Sequence, residues 1–324
     1  MKNKNLKYSK QKGIALIMVL LVVALVAIIA TGITSKQNLS SRRTGNLLNN
    51  EQAYLYLLAA EDVAKEALVE DARDNNTDTL DENWAVELPP WPVEGGLVSG
   101  SLKDLQSRFN LNNLVDNSGN PVVGYTQAFQ ALLSELKNPP SNDVYQAVVD
   151  WMDENLDATA PSGAEDGEYL NRVPAYVAAN NRMANASELI KVNGFNYALY
   201  KDLHEHVITL PVATPLNINT ATAKQISMLS NQISLSQAEN VVKDRGKGGF
   251  KNIQEFMSLP EITNKNVNQA NLSLSSNYFL LSARAVIGNS KTELYSLIYR
   301  ENHGNNQIDV KVLSRSQREI AGNT

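Results

Sequence analysis

The segment that decides the fold lies near the start of the chain and joins a basic stretch to an apolar one, Lys12-Gly13-Ile14-Ala15-Leu16-Ile17-Met18-Val19-Leu20. Every residue from 14 to 30 is apolar, and the first charge after Lys12 is Lys36. As an α-helix, residues 14–35 would extend about 33 Å at ~1.5 Å per residue, enough to cross the hydrocarbon core of a bilayer. The sequence therefore predicts a transmembrane helix over residues 14–35.

The residues before this helix predict its orientation. Residues 1–13 contain five lysines and no acidic residue, so the positive-inside tendency keeps them in the cytoplasm, although Lys36, Arg42 and Arg43 weaken the contrast. The apolar segment is longer than that of an ordinary signal peptide, and no A-x-A cleavage pattern follows it. We therefore expect a single-pass membrane anchor with the bulk of the chain outside the cytoplasm.

The junction Lys12-Gly13-Ile14 resembles the signal of type IV pilins and of type II secretion pseudopilins. In those families prepilin peptidase cuts after the glycine and methylates the new N-terminus. The resemblance implies a basic leader of residues 1–13, cleavage after Gly13 and methylation of Ile14. It also implies a location in the inner membrane of a Gram-negative cell, with the bulk of the chain in the periplasm. A plain anchor, in which Gly13 only bends the chain, is the alternative.

One position departs from the pattern of these families. Most members carry glutamate at the fifth mature position, where this chain has Met18. A carboxylate without a partner is costly in hydrocarbon, so a subunit with no neighbour above it loses nothing by lacking one. Met18 therefore points to a subunit at the tip of a filament.

The helical pattern continues beyond the membrane. Residues 36–73 contain no proline and a single glycine, Gly45. Their apolar residues recur at spacings of three and four, which predicts an amphipathic continuation of the same helix. A coiled-coil stalk is the alternative, but the heptads are too irregular for it. The apolar positions are Leu47, Leu48, Tyr54, Leu55, Leu58, Val63, Ala67 and Leu68.

Composition excludes several functions. The net charge of −5 gives no general attraction to nucleic acid, and the absence of cysteine excludes thiol catalysis and disulfides. The three histidines, His204, His206 and His303, form no metal-binding pair, and no nucleophile or phosphate-binding motif is present. We predict that the chain is not an enzyme.

Beyond residue 73 the sequence predicts an α+β fold. Residues 74–125 form the first part of a head, with edge-strand patterns at 84–92 and 95–102. Residues 126–273 carry a helical period broken at Pro139-Pro140 and at Pro161-Ser162-Gly163. Residues 274–324 return to strand alternation and complete an antiparallel sheet, with strands predicted at Tyr278–Val286, Glu293–Tyr299 and Ile308–Leu313.

Several separated motifs resemble the family of minor pseudopilin K, or general secretion pathway protein K, of type II secretion. They are Gly100-x-x-x-Asp104-x-Gln106-x-Arg108-Phe109-Asn110-Leu111-Asn112-Asn113-Leu114, Asp150-Trp151-Met152-Asp153, Pro161-Ser-Gly163-Ala164-Glu165-Asp166 with Tyr169, and Ser187-Glu188-Leu189 with Gly194. The resemblance covers almost the whole chain. It implies a pilin-like antiparallel sheet head on an N-terminal pilin helix, interrupted by a large and mostly helical insertion.

The same resemblance implies a function. It implies a minor pseudopilin at the tip of the pseudopilus that takes part in initiating pseudopilus assembly and in exporting proteins across the outer membrane. The implied partners are the equivalents of minor pseudopilins I and J, prepilin peptidase and the inner-membrane secretion platform. The alternative function is that of a minor pilin in a DNA-uptake or adhesive type IV pilus.

A cluster of acidic residues is the candidate metal site. Asp150, Asp153 and Asp157 follow one another at i, i+3 and i+7, so a helix through them would carry three carboxylates on one side, and Glu165 and Asp166 come after a loop. Hard oxygen ligands of this kind suit calcium, although no EF-hand spacing is present. The alternative is a solvated acidic face. Some family members bind calcium in the insertion, so the resemblance implies a possible calcium site at Asp153, Asp157, Glu165 and Asp166.

Residues 214–260 resemble a helix-hairpin-helix module, which in other proteins holds DNA phosphates through a glycine hairpin. The net charge of this segment is only +2, and its hairpin between Leu229 and Ala238 contains no glycine. We therefore do not expect nucleic acid to bind and interpret the module as a compact packing unit.

Overall fold

A computed structural model describes residues 12–141, 143–304 and 307–317. Of the predicted leader, residues 1–11 lie outside the described residues, and so do residues 318–324 of the C-terminal segment. The helices are α1 (Lys12–Asp74), α2 (Val123–Ser134), α3 (Tyr145–Met152), α4 (Asp166–Tyr169), α5 (Tyr197–Leu203), α6 (Ala223–Ser227), α7 (Leu235–Arg245) and α8 (Ile253–Met257). The strands are β1 (Leu88–Val93), β2 (Gly96–Asp104), β3 (Phe109–Asn110), β4 (Val207–Ile208), β5 (Leu216–Asn217), β6 (Leu272–Ser273), β7 (Tyr278–Ile287), β8 (Ser290–Asn302) and β9 (Ile308–Ser316).

The predicted membrane helix and its continuation form one helix, α1, of 63 residues. From residue 14 onward, α1 is long and apolar enough to cross a membrane. The rest of the chain buries none of the most apolar stretch of this helix. An apolar surface that no protein covers requires another apolar environment. The helix is consistent with a single-pass membrane anchor.

The remainder of α1 lies against one face of a five-stranded antiparallel sheet in the order β1-β2-β7-β8-β9. Alternate residues of β7, among them Phe279, Leu281 and Ala283, point toward α1 and are buried with Leu57 and Leu68. Gly288 makes the tight turn from β7 to β8 with a φ of +55°, a conformation that side chains disfavour. This arrangement confirms the predicted α+β class with a pilin-like helix and antiparallel sheet.

The sheet has a membrane-proximal and a membrane-distal end, which the contacts of α1 identify. At the proximal end, Gln52 donates a hydrogen bond to the backbone oxygen of Glu94 in the β1–β2 turn (3.1 Å). At the distal end, Arg300 of β8 pairs with Asp71 in the last turn of α1 (2.8 Å). β2 ends and β7 begins at this distal end, where the amide of Leu105 bonds to Tyr278 (3.0 Å). Residues 105–277 therefore leave the sheet at the end farthest from the apolar part of α1.

Those residues form an insertion with its own core, and its regular elements are mostly short helices. The core gathers side chains from along the whole segment, including Phe109, Phe129, Trp151, Leu203 and Phe256. Residues 105–125, which sequence patterns placed in the first part of the head, contribute Phe109 and Leu114 to this core. The reason is that the chain departs from the sheet directly after β2, before any helix begins.

Two local expectations differ from the structure. Trp84, placed by sequence in an edge strand, lies in a 3₁₀ turn, and its buried ring meets Phe279 edge-on with centroids 5.2 Å apart. The buried face of α1 is formed by Ala53, Leu57, Ala64 and Leu68, whereas Leu55 is 64% exposed. Small alanines let the helix approach the sheet closely, and this preference is not visible in a count of large apolar residues.

Candidate metal centre in the helical insertion

The helix that carries the first acidic residues is shorter than the sequence predicts. α3 ends at Met152, and Asp153 already has an extended backbone (φ −75°, ψ 169°). The side chain of Asn155 then accepts a hydrogen bond from the amide of Asp157 (2.8 Å), a local turn that competes with helix. The expectation of one helix through Asp150, Asp153 and Asp157 is therefore wrong beyond Met152.

The loop after α3 folds back and brings Glu165 to the two aspartates at the end of the helix. The amide of Thr159 donates a hydrogen bond to Asp150 Oδ2 (2.9 Å). A Cβ atom at position 163 would lie 2.1 Å from this same oxygen, so only glycine lets the loop come so close. Asp150, Asp153 and Glu165 are all buried.

These three carboxyl groups hold oxygen atoms that the protein leaves without partners. Asp150 Oδ1, Asp153 Oδ1 and both oxygens of Glu165 are buried and accept no hydrogen bond within the described chain. Asn180 Oδ1 is also buried and unpartnered, and the backbone N–H of Asn180 donates a hydrogen bond to the backbone oxygen of Trp151, the residue after Asp150 (3.0 Å). A buried acceptor without a donor costs free energy, so these groups fit a bound cation.

The electrostatics of the cluster agree with this interpretation. Burial, and then the charge of Asp150, raise the pKa of Asp153 to about 6. Burial raises the pKa of Glu165 to about 7, with further contributions from Asp150, Asp153 and Asp166. Like charges crowded together in a poorly solvated place titrate late unless a cation neutralises them.

The four predicted ligands do not all lie in the buried cluster. Asp153 and Glu165 belong to the cluster, and Asp166 lies beside Glu165 but accepts a hydrogen bond from the amide of Ala178 (2.9 Å). Asp157 is exposed in the loop. Asp150, which the sequence placed on the helix but not among the ligands, is at the centre of the group. Asn180 had no sequence signal, because its approach to the site depends on the path of the chain between α4 and α5.

A second acidic group, Asp71, Asp78 and Glu82, is the one triad in the described residues whose carboxylate oxygens lie within 4.8 Å of one another. The Asp150 group is spread more widely than this. Arg300 already binds the second group, with its Nη1 2.8 Å from Asp71 and its Nη2 2.5 Å from Asp78. Arg300 therefore joins Asp71 and Asp78 in a buried ion-pair network that fixes the end of α1 to the sheet.

Two basic side chains of the helix-hairpin-helix-like unit donate hydrogen bonds to backbone oxygens of the unit itself. Arg245 Nη1 donates to the backbone oxygens of Ile218 (2.9 Å) and Ala221 (2.7 Å). Lys251 Nζ donates to the backbone oxygen of Gly248 (2.8 Å). These contacts stabilise the fold of the unit and do not present the two charges to an external phosphate.

Together the fold and the site define a class of protein: a pilin-like subunit with an N-terminal membrane helix and a helical insertion that carries a buried acidic cluster. The model of the family described as type II secretion system (T2SS), protein K, matches residues 107–212 and 216–275. Type II secretion system protein K of Aeromonas hydrophila is 33% identical over 310 residues, which cover 90% of this chain and 93% of that protein. Type II secretion system protein K of Pectobacterium carotovorum subsp. carotovorum is 34% identical, with coverage of 90% and 93%.

A solved structure agrees with these relatives. The chain resembles a chain in the crystal structure of the GspK-GspI-GspJ complex from the type 2 secretion system of enterotoxigenic Escherichia coli. The TM-score is 0.72 at 27% identity, and the match covers 86% of this chain and 99% of that chain. The chain belongs to the type II secretion system protein K family and is a minor pseudopilin, which is a structural component.

Proposed function

We propose that this protein is the subunit at the tip of a pseudopilus, where it takes part in initiating pseudopilus assembly and in exporting proteins across the outer membrane. The observation that carries the proposal is the position of the insertion. Residues 105–277 leave the sheet at the end of α1 opposite to the membrane helix. Filament subunits stack along their N-terminal helices, so this bulk occupies the space that a subunit above would need.

Met18 supports the same position. The fifth residue after the predicted cleavage site is apolar, so it offers no carboxylate to a neighbour's terminal amine. A subunit at the top of the filament has no such neighbour, and a methionine there avoids the cost of a lone carboxylate in hydrocarbon.

The proposed partners are the equivalents of minor pseudopilins I and J, together with prepilin peptidase and the inner-membrane platform. The related structure is a GspK-GspI-GspJ complex. On this chain, Leu48, Leu55 and Val63 follow at spacings of seven and eight, so they form a stripe along α1 on the side away from Leu57. All three are about three-fifths exposed. The apolar stripe of Leu48, Leu55 and Val63 suits the N-terminal helix of a neighbouring pseudopilin.

A bound calcium ion is part of the proposal. Asp150, Asp153, Glu165 and Asn180 would hold it with their unpartnered oxygens, with the charge of Asp166 in support. Oxygen donors on a loop and a helix end are the chemistry that calcium prefers. The ion supplies positive charge that neutralises the cluster, and it ties the loop after α3 to the helix.

Two experiments test the proposed position and processing. A tag inserted at the exposed Gln232 should label one end of sheared pseudopili, and labels spaced along the shaft would overturn the tip assignment. Mass spectrometry of the protein extracted from inner membranes should find N-methylated Ile14 as the first residue. An intact Met1, or a start beyond residue 30, would contradict cleavage by prepilin peptidase after Gly13.

A further inference from the structure

A cleft of about 770 Å³ lies between α2 and the segment that joins α6 to α7. Its volume falls within the range of ligand sites, which is about 300–1,000 Å³. It follows the border between the two parts of the chain that the family model matches, residues 107–212 and 216–275. The cleft is distant in sequence from the acidic cluster, and neither the tip assignment nor the calcium site makes use of it.

Arg108 is the one charged residue among the described residues that line the cleft. Its Nη1 is buried and donates no hydrogen bond. No acidic group lies within 4.0 Å of its guanidinium in the described part of the chain, and the exposed Glu205 acts on it only through space. The same burial lowers the pKa of Arg108. A partly buried cation without an ion-pair partner is unfavourable until an anion binds to it.

The other polar residues of the same motif are in a different situation. Asp104 accepts hydrogen bonds from Ser276 (2.7 Å) and Gln106 (2.8 Å), and Gln106 itself donates to Pro215 (3.2 Å). Asn110 and Asn113 donate to backbone oxygens of the segment 212–214 (2.8 and 2.7 Å). These side chains hold the fold together. Arg108 makes no side-chain hydrogen bond of this kind with the described residues.

The walls of the cleft suit a peptide. Nine of the 21 described residues that line it are Asn or Gln, and none is acidic. Gln127, Asn231, Gln232 and Asn266 are exposed on its rim. Amide side chains both donate and accept hydrogen bonds, as a peptide backbone does. A guanidinium binds a carboxylate with two parallel hydrogen bonds, and the lack of acids in the wall avoids repulsion.

We propose that this cleft binds an extended acidic segment of a partner protein, with one of its carboxylates paired to Arg108 and its backbone held by the amide rim. The ligand class is a carboxylate-bearing peptide. The inference goes beyond the position of the subunit in the filament, since it assigns a binding site to the insertion itself. Its test does not depend on the tip assignment.

The test measures binding of a fluorescent pentaglutamate peptide to the full-length chain in detergent, with pentaglutamine as the uncharged probe. Pentaglutamate should bind, and pentaglutamine should bind at least about tenfold more weakly, the effect of losing one charged hydrogen-bonded pair. Arg108→Met keeps the aliphatic length and should weaken pentaglutamate by about tenfold. The matched control is Arg284→Met, which makes the same change in net charge at an exposed site on the sheet. It should leave the affinity within about twofold.

A second variant keeps the test decisive if Arg108→Met fails to fold. Gln127→Glu places a carboxylate on the exposed rim and should also weaken pentaglutamate, while its melting temperature stays that of the parent. Equal binding of the two peptides, an unchanged affinity in both variants, or no binding at all would overturn the proposal. Displacement of the peptide by inorganic phosphate or acetate at lower concentrations than by unlabelled pentaglutamate would also overturn it, because the cleft would then be a small-anion site.

Discussion

The head and the insertion are held together by different physical means. The head pairs a 63-residue helix with strands of up to 13 residues, and its core is apolar side chains in regular alternation. The insertion has no described helix longer than the 12 residues of α2. Between its short elements, side chains of Asn110, Asn112 and Asn113 reach the backbone of segments about 70 to 100 residues away. The comparison teaches that the head depends on apolar packing between long regular elements, whereas the insertion joins its short elements through an apolar core and through buried asparagines that bind backbone groups distant in sequence.

The largest expected effect is in the head. Leu57→Ala removes a fully buried side chain between α1 and the sheet, so the free energy of unfolding should fall by about 2–5 kcal/mol. Leu55→Ala, two residues away on the exposed side, should change it by less than about 0.5 kcal/mol. Chemical denaturation of the full chain in detergent measures both. The Leu55 variant should instead lose co-purification with the equivalents of minor pseudopilins I and J. Equal stability losses in the two variants would refute the assigned buried face.

The next effect concerns the polar frame of the insertion. Asn112 is buried, donates to the backbone oxygens of Met183 and Leu210 (2.9 Å each) and accepts from the amide of Met183 (2.9 Å). Asn112→Ala leaves three buried backbone groups without partners, which should cost roughly 3 kcal/mol. Hydrogen exchange read by mass spectrometry should show faster exchange across the insertion and little change in β7 and β8. Asn231→Ala, at an exposed position, is the control. Uniform acceleration in head and insertion would show that the two regions unfold as one unit.

Calcium should stabilise the insertion and not the head. With free calcium at about 100 times its Kd, the gain is about 2.7 kcal/mol, which chelation removes. Asp150→Asn and Glu165→Gln should abolish the difference in melting temperature between calcium and chelator. Asp157→Asn should keep most of it, because Asp157 is exposed outside the cluster. A melting temperature that does not respond to calcium in the parent protein would rule out the site.

The smallest effect is a pH dependence in the absence of calcium. Glu165 has a folded pKa of about 7 and Asp153 of about 6, both above their ordinary values of 4.5 and 3.8. Between these limits the folded state holds protons that the unfolded state releases, so the chelated protein should become more stable as pH falls from about 7 toward 4.5. Burial raises the pKa of Asp71 and Asp104 in the same direction, to about 7 and about 6.

Because several groups titrate in this range, the contribution of Glu165 to the pH dependence is the difference between the parent protein and Glu165→Gln. Melting temperatures between pH 5 and 7.5 should rise less steeply toward low pH in Glu165→Gln than in the parent. The same protons compete with the cation, so the stabilisation by calcium should shrink below about pH 6. Parallel pH profiles for parent and variant would show that Glu165 does not titrate in this range.

Local patterns in the sequence were enough for the regular parts of the molecule. The uncharged run at 14–35 predicts its helix because length and apolarity alone decide whether a segment suits a bilayer. The C-terminal strands lie within three residues of the predicted ones, since alternation with period two is a property of each strand by itself. The motifs around Arg108 and Asp150 were sufficient for the family resemblance.

The tertiary structure decided which groups meet. Asp150, Asp153 and Glu165 come together only because α3 stops at Met152 and the following loop turns back over Gly163. Arg300 pairs with Asp71 and Asp78 more than 220 residues away in sequence. The spacing of apolar and polar side chains indicates whether one segment is a helix or a strand. It does not indicate how the loops between such segments run. For that reason the sequence by itself determined the long apolar helix, the sheet and the family, and only the fold determined the buried acidic cluster, the buried face of α1 and the position of Arg108 in the cleft.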